Sequence, residues 1–199
     1  MGKRTSASKR LLLAERGFGP LLQRDYWGVV RNARVPPSAV MATVRRHFPS
    51  FSPPELALFE RCDGRDAPLS MGDELFVKIH LAGRSRVRVI QEGPQSFTLS
   101  TEEGHPEAGR ITFGSYRNAK GDVVFHIRSR ARSSTGPNRT GFLAAGEVMQ
   151  TSTWTDFVNR VGVAFGDGIV GFIHAESTTC DDEPEGVART EPTYHASGG

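Results

Sequence analysis

Cysteine is nearly absent: Cys62 and Cys180 lie far apart in a chain of 199 residues and share no metal-ligand spacing. That argues against a zinc module and against a disulfide-built miniature domain, and fits a reduced, cytoplasmic chain, with one disulfide as the alternative. No apolar run approaches the ~20 residues that span a bilayer. The start, MGKRTSASKRLLLAE, offers only three consecutive leucines, too short a core for a signal peptide. The chain therefore reads as soluble and not exported. It contains no H-E-x-x-H pair and no G-x-S-x-G elbow, and its six histidines are scattered, so zinc-protease and nucleophile-elbow chemistry have no local support. Neither a metal nor a cofactor is expected. Gly166-Asp167-Gly168-Ile169-Val170-Gly171 does spell G-x-G-x-x-G, but it follows a helical pattern, whereas dinucleotide binding needs a strand before it and a helix after it.

Charge is present but unevenly spread. The net +3 conceals ten Lys or Arg against two acids in residues 1–48, and two against eight in residues 149–199. Such opposed ends suit a soluble domain with charged tails better than a nucleic-acid binder, which needs one basic face interleaved with aromatics. Met1-Gly2 with Ser6 also fits the permissive myristoylation pattern, and the acid-poor start fits an organelle presequence; the plain reading is a disordered basic tail. Asn138-Arg139-Thr140 is a glycosylation sequon without an export signal to bring it into use.

What the chain does have is alternation. From Asp73 to Ser133, four turn signals divide apolar and polar residues into five strands of an antiparallel meander. DELFVKIHL directs Leu75, Val77, Ile79 and Leu81 one way; RVRVIQ directs Val87 and Val89; SFTLST, Phe97 and Leu99; RITFGSYR, Ile111 and Phe113. In DVVFHIRSRAR, Val123, Phe125, Ile127, Ser129 and Ala131 oppose His126, Arg128, Arg130 and Arg132. An antiparallel sheet with one apolar face requires a cover.

Upstream, DYWGVVRN supplies a sixth strand, and Pro36-Pro37-Ser38 opens a short helix whose Val40, Met41, Val44 and Phe48 recur at helical spacing until Pro49 stops it. LALFERCDG is ambiguous: Ser52 with Glu55 imitates a capping box, while its alternation also permits a strand. Downstream, Thr151, Trp154, Val158, Val161 and Phe165 form an amphipathic stripe with Phe157 beside it, a helix from about Gly146 to Phe165 that covers the sheet. Together these predict an α+β helix-grip fold, an antiparallel sheet wrapped around a long C-terminal helix. Residues 1–20 read as a flexible basic tail, 21–175 as one domain, and 176–199 as a disordered acidic tail with too little to bury.

Gly104-His105-Pro106-Glu107, the segment GHPEAGRITF around it, GDVVFHIRSRARSS after it, and the helix holding Met149-Gln150 resemble the domain-of-unknown-function family nineteen-ninety of bacteria and plants, placed in the START-like superfamily. Arg110 and Ile111 stand where that family usually carries an acidic pair. The resemblance implies a helix grip with a cavity for a hydrophobic small molecule, and implies no known reaction.

The leading functional expectation is therefore an apolar ligand held between the inner sheet face (Phe113, Ser115, Ile127, Ser129) and the helix (Trp154, Phe157, Val161). Small polar residues interrupt the apolar stripe of the one-sided sheet, as a pocket requires. A second reading is an enzyme in the same space, with His105 and Glu107 as an acid-base pair, the carboxylate fixing the imidazole tautomer. A third is a basic interaction module using the outer arginines. Because Arg86 and Arg88 lie three strands from Arg128, Arg130 and Arg132, a solvated sheet face is favoured over nucleic-acid contact. Ordinary loop packing for His105 and ordinary core for Trp154 are the plain alternatives. The sequence leaves oligomeric state open.

Overall fold

The computed structural model describes residues 9–80, 83–135 and 140–180, with the side chains of 140–147 outside that description. Eight antiparallel strands form one sheet: β1 (Phe18–Val29), β2 (Ala57–Arg61), β3 (Glu74–Ile79), β4 (Gly83–Glu92), β5 (Ser96–Thr101), β6 (Glu107–Arg117), β7 (Val123–Ser133) and β8 (His174–Cys180). Their spatial order is β2-β3-β4-β5-β6-β7-β1-β8. The five-stranded meander is thus continuous from β3 to β7; its predicted inward apolar residues from Leu75 to Ile127 belong to the core or pack against it, Ser129 and Ala131 are buried outside that cluster, and Leu81 lies outside the described residues. The α+β helix-grip architecture stands: α3 (Thr140–Phe165) crosses the inner face, contacting chiefly β1 and β7.

Two short helices complete the cover. Pro37 opens α1 (Pro37–Arg46), where its missing N–H costs nothing, and Val40, Met41 and Val44 are wholly buried. A kink at His47 leads into α2 (Phe48–Phe51), which drops Phe48 and Phe51 into the concavity. Phe48 is the hub. Its ring centroid lies 5.1 Å from those of Phe59 and Phe113, 5.5 Å from Phe157 and 5.6 Å from Phe97. Most of these pairs are edge-on, the arrangement ring quadrupoles prefer.

Three differences from the sequence reading have physical causes. LALFERCDG resolves to β2 because Ala57 and Phe59 face the core at period two, and Ser52 closes the preceding turn onto the Ala57 carbonyl at 2.6 Å instead of capping a helix. The N-terminal segment is ordered from well before residue 21: Leu11 bridges to Glu102, Ala14–Arg16 form a 3-10 turn, and β1 begins at Phe18. Finally, residues 174–180, expected to fall at and beyond the end of the fold, form β8 along β1, from Leu21↔Cys180 to Trp27↔His174. A ladder needs unpaired backbone, not apolar side chains, and β1 offers that edge; Trp27 stacks on His174 at 4.7 Å. Residues 1–8, 136–139 and 181–199, which include the myristoylation pattern, most of the sequon and most of the acidic tail, lie outside the described residues. Gly109 is required by close approach, since a Cβ there would stand 2.1 Å from the Arg130 carbonyl oxygen.

Among the described residues, no helix is long and apolar enough to cross a membrane. Cys62 and Cys180 are both free thiols.

Candidate functional site

The concave side of the sheet has two unlike ends. Toward β6's C-terminal half, Phe113, Phe125, Phe157 and the Phe48 hub fill the space between sheet and helix: Phe125 stacks on Phe157 at 5.8 Å, and Trp154 meets Phe113 edge-on at 5.6 Å. Ile127 and Val161 are wholly buried there. Ser115 is also interior, and its hydroxyl donates to the Val124 carbonyl at 2.9 Å, so its hydrogen-bonding is used up locally. The seven residues expected to face a ligand are therefore brought together between the sheet and α3.

Toward the start of β6 the interior turns polar. Arg24 on β1 is directly opposite Ser129 on β7, which is directly opposite Ile111 on β6, so the three share the inner face. Arg24, 8 % exposed at its side chain, reaches across β7 to Glu107, Nη1 to Oε1 at 3.3 Å. From the helix, Gln150 Nε2 donates to the other Glu107 oxygen at 2.5 Å. Trp154 stands one helical turn further along. Among the described residues, four buried atoms in this region have no hydrogen-bond partner: Arg24 Nε, Ser129 Oγ, Gln150 Oε1 and Trp154 Nε1. Sequence reasoning found Ser129 and Trp154 but missed Arg24 and Gln150. The signal for Arg24 was a charge at an even position of a strand whose inner set includes Tyr26 and Gly28, legible only once the register with β7 is known.

His105 and Glu107 do not meet as an imidazole-carboxylate pair. The Glu107 backbone N–H donates to His105 Nδ1 at 3.0 Å, while the Glu107 carboxylate serves Arg24 and Gln150. Burial pushes the imidazole down to about 4, against the opposing pull of the Glu107 backbone. His105 is thus neutral near pH 7 and staples the loop before β6, its Nδ1 standing 3.0 Å from both the backbone nitrogen and the carbonyl oxygen of Glu107. Its folded value lies below the ordinary 6.5, so its contribution to stability is complete above about pH 6.5 and drains away as pH falls toward 4. Urea unfolding at pH 7 and pH 5 should show the parent losing about 2 kcal/mol more than His105→Gln over that interval; equal losses would mean the imidazole is not held neutral.

On the convex face the arginines are bonded rather than bare. Arg128 Nε and His126 Nε2 both contact Asp25 Oδ1 at 2.6 Å. Burial works to raise Asp25, but these two partners outweigh it and hold the carboxyl below its usual range. Arg130 donates to the Gln23 carboxamide, Arg132 to the Gly19 carbonyl, and Arg86 and Arg88 pair with Glu74. A cavity of about 60 Å³ opens on this face around Gly114.

No protein-family model and no curated protein sequence matches the chain. Solved structures do match. The KanY protein in solution is similar over 74 % of this chain and 99 % of its own, at 12 % identity and a TM-score of 0.52. The di-domain ARO/CYC StfQ from the steffimycin biosynthetic pathway matches over 74 % of this chain at 10 % identity and TM-score 0.51. This chain spans about half of that protein, 51 %. The major latex-like protein 151 of Panax ginseng follows at 11 % identity and TM-score 0.49. At such identities the likeness to the first two shows the fold alone, an antiparallel sheet gripping a long C-terminal helix.

Proposed function

We propose that the chain is a cytoplasmic binder of a largely apolar small molecule, held between the inner sheet face and α3 at the polar end of the grip. The carrying observation is the set of four buried, unpartnered polar atoms around Arg24, Ser129, Gln150 and Trp154. Each buried orphan costs about 1–3 kcal/mol, so four at one end of a core point to a partner that arrives from outside. Arg24 Nε and Trp154 Nε1 can only donate and Gln150 Oε1 only accept, while the Ser129 hydroxyl does either. The ligand this suits carries carbonyl or other acceptor oxygens at one end and an apolar body that lies against Ile127, Trp154, Phe157 and Val161. Kinship with the domain-of-unknown-function family nineteen-ninety is part of this reading and adds no reaction to it. An enzyme working in the same space is the second reading, favoured by the Glu107 carboxylate at that polar end; His105, held neutral on the backbone, supplies at most loop geometry to it.

Ser129→Ala gives a test in which two effects have opposite sign. Removing an orphan hydroxyl should leave the free protein as stable as before or slightly more so, while ligand affinity falls about three- to tenfold, the worth of one hydrogen bond. Native mass spectrometry of protein purified from its own host should show a retained small molecule, less abundant in the Ser129→Ala variant. Bare protein from the host, with Ser129→Ala destabilising, would contradict the proposal.

A further inference from the structure

At the end of the sheet where β1 stops and β8 starts, the turn that leaves α3 carries apolar side chains that the core does not use. Residues 166–173 are pinned to the body. The Arg31 N–H donates to the Gly168 carbonyl at 2.9 Å, the Asp167 N–H to the Arg31 carbonyl at 2.8 Å, and the Val170 N–H to the Val29 carbonyl at 2.8 Å. Ile169 and Ile173 turn inward and pack against the core. Ile169 also lies so close over α3 that a Cβ on Gly162 would stand 2.6 Å from its side chain. Between these two anchors the chain turns Val170 and Phe172 the other way, and Phe172 is 84 % exposed. Val163, next to Gly162 on the last turn of α3, is exposed as well. Single apolar residues on a surface call for no explanation, but three at one corner, two of them on a backbone held in place, mark a contact.

The surroundings are cationic. Arg31 and Arg34 follow β1, and the β6–β7 hairpin brings Arg117 and Lys120 to the same end, since the Val123 carbonyl accepts from the Val30 N–H at 2.8 Å. All four are exposed. Among the described residues at this end the acids are Asp122 and Asp167, and Asp167 is paired with Arg34. Arg160, nearby on α3, is paired with Asp156. Three cations therefore remain against Asp122. The run of acids that begins at Asp181 joins the chain at the far end of β8, about 20 Å away.

We propose that this corner docks on an anionic lipid bilayer, with Phe172, Val170 and Val163 entering the headgroup boundary while Arg31, Arg117 and Lys120 meet the lipid phosphates and carboxylates. Apolar and cationic groups side by side suit that surface, which offers an apolar boundary beneath a layer of negative charge. A second copy of the chain fits worse, because a two-fold contact would set the same cations against each other. Three apolar side chains also fall far short of the roughly 20–30 residues that a stable protein interface uses on each side. The polar end of the grip, at the start of β6, is at the opposite end of the sheet, so docking and ligand binding can fail separately.

The test sediments the full chain with vesicles of phosphatidylcholine alone and with vesicles that also contain phosphatidylserine, at low and high salt. Saturable binding to the anionic vesicles, weakening as salt rises, is expected. Phe172→Ser should weaken it about tenfold, and Arg31→Gln and Lys120→Gln about fivefold each. Residues 1–48 are basic too, and Phe172→Ser, which leaves every charge in place, separates the corner from them. In a Phe172→Trp variant, emission should move to the blue on anionic vesicles and become shielded from an aqueous quencher. Sedimentation that Phe172→Ser leaves unchanged would assign the binding to charge elsewhere and overturn the proposal. So would absence of binding, equal binding to the neutral vesicles, or a dimer in solution that Phe172→Ser dissociates.

Discussion

Phe48→Ala should cost about 4 kcal/mol of unfolding free energy, the high range for emptying an aromatic site in a packed core. Phe48 is wholly buried and its ring touches four others, from β2, β5, β6 and α3. It therefore joins β2 and the middle of the meander to the covering helix. No neighbour can swing in to fill the gap without leaving its own partners, so the cavity persists. Against a total stability of roughly 5–15 kcal/mol for an ordinary domain, the variant should unfold at markedly lower urea. Phe172, 84 % exposed, provides the control: Phe172→Ala should leave the midpoint nearly unchanged. A Phe48→Ala midpoint equal to the parent's would mean that the aromatic cluster is not the structural core.

A comparable loss, about 3 kcal/mol or more, is expected for Glu107→Ala. The substitution strands the Arg24 guanidinium, whose side chain is only 8 % exposed, and deprives Gln150 of its acceptor. The diagnostic comparison is the double replacement Arg24→Met with Glu107→Leu. Removing both members of a buried pair for apolar groups of similar bulk is often neutral, so the double variant should recover most of the stability that Glu107→Ala loses. It should also lose ligand binding, because the donors that would hold the ligand's oxygens are gone. A double variant as unstable as the single one would show that Arg24 and Glu107 act separately.

The meander was fully legible because period-two alternation and turn chemistry are local properties: Val87 and Val89 on β4, or Ile111 and Phe113 on β6, declare their face within a few residues. The covering helix was legible for the same reason, through Trp154, Val158 and Val161. What escaped was set by partners distant in sequence. β8 is exposed along nearly its whole length, and only the free edge of β1 makes it a strand. Arg24 looked like surface charge until its register with Ser129 turned it inward. His105 and Glu107, two residues apart, suggested a side-chain pair, yet strand β6 starts at Glu107 and sends its carboxylate into the grip while the imidazole binds backbone. Gly114 as the floor of the convex-face cavity was invisible because its neighbours, Ser96 and His126, belong to other strands.

The indole of Trp154 gives the most direct measurement of the central claim. Trp27 is the only other tryptophan, so in a Trp27→Phe background the single indole N–H resonance reports Trp154 Nε1, now buried without a partner. Titrated with fatty acids, isoprenoids and acceptor-bearing aromatic compounds, that resonance should shift downfield and saturate with at least one class as the N–H gains an oxygen acceptor, and the shift should weaken in Ser129→Ala. An indole resonance unmoved by every compound, in a protein that Trp154→Ala simply unfolds, would make Trp154 ordinary core and contradict the account.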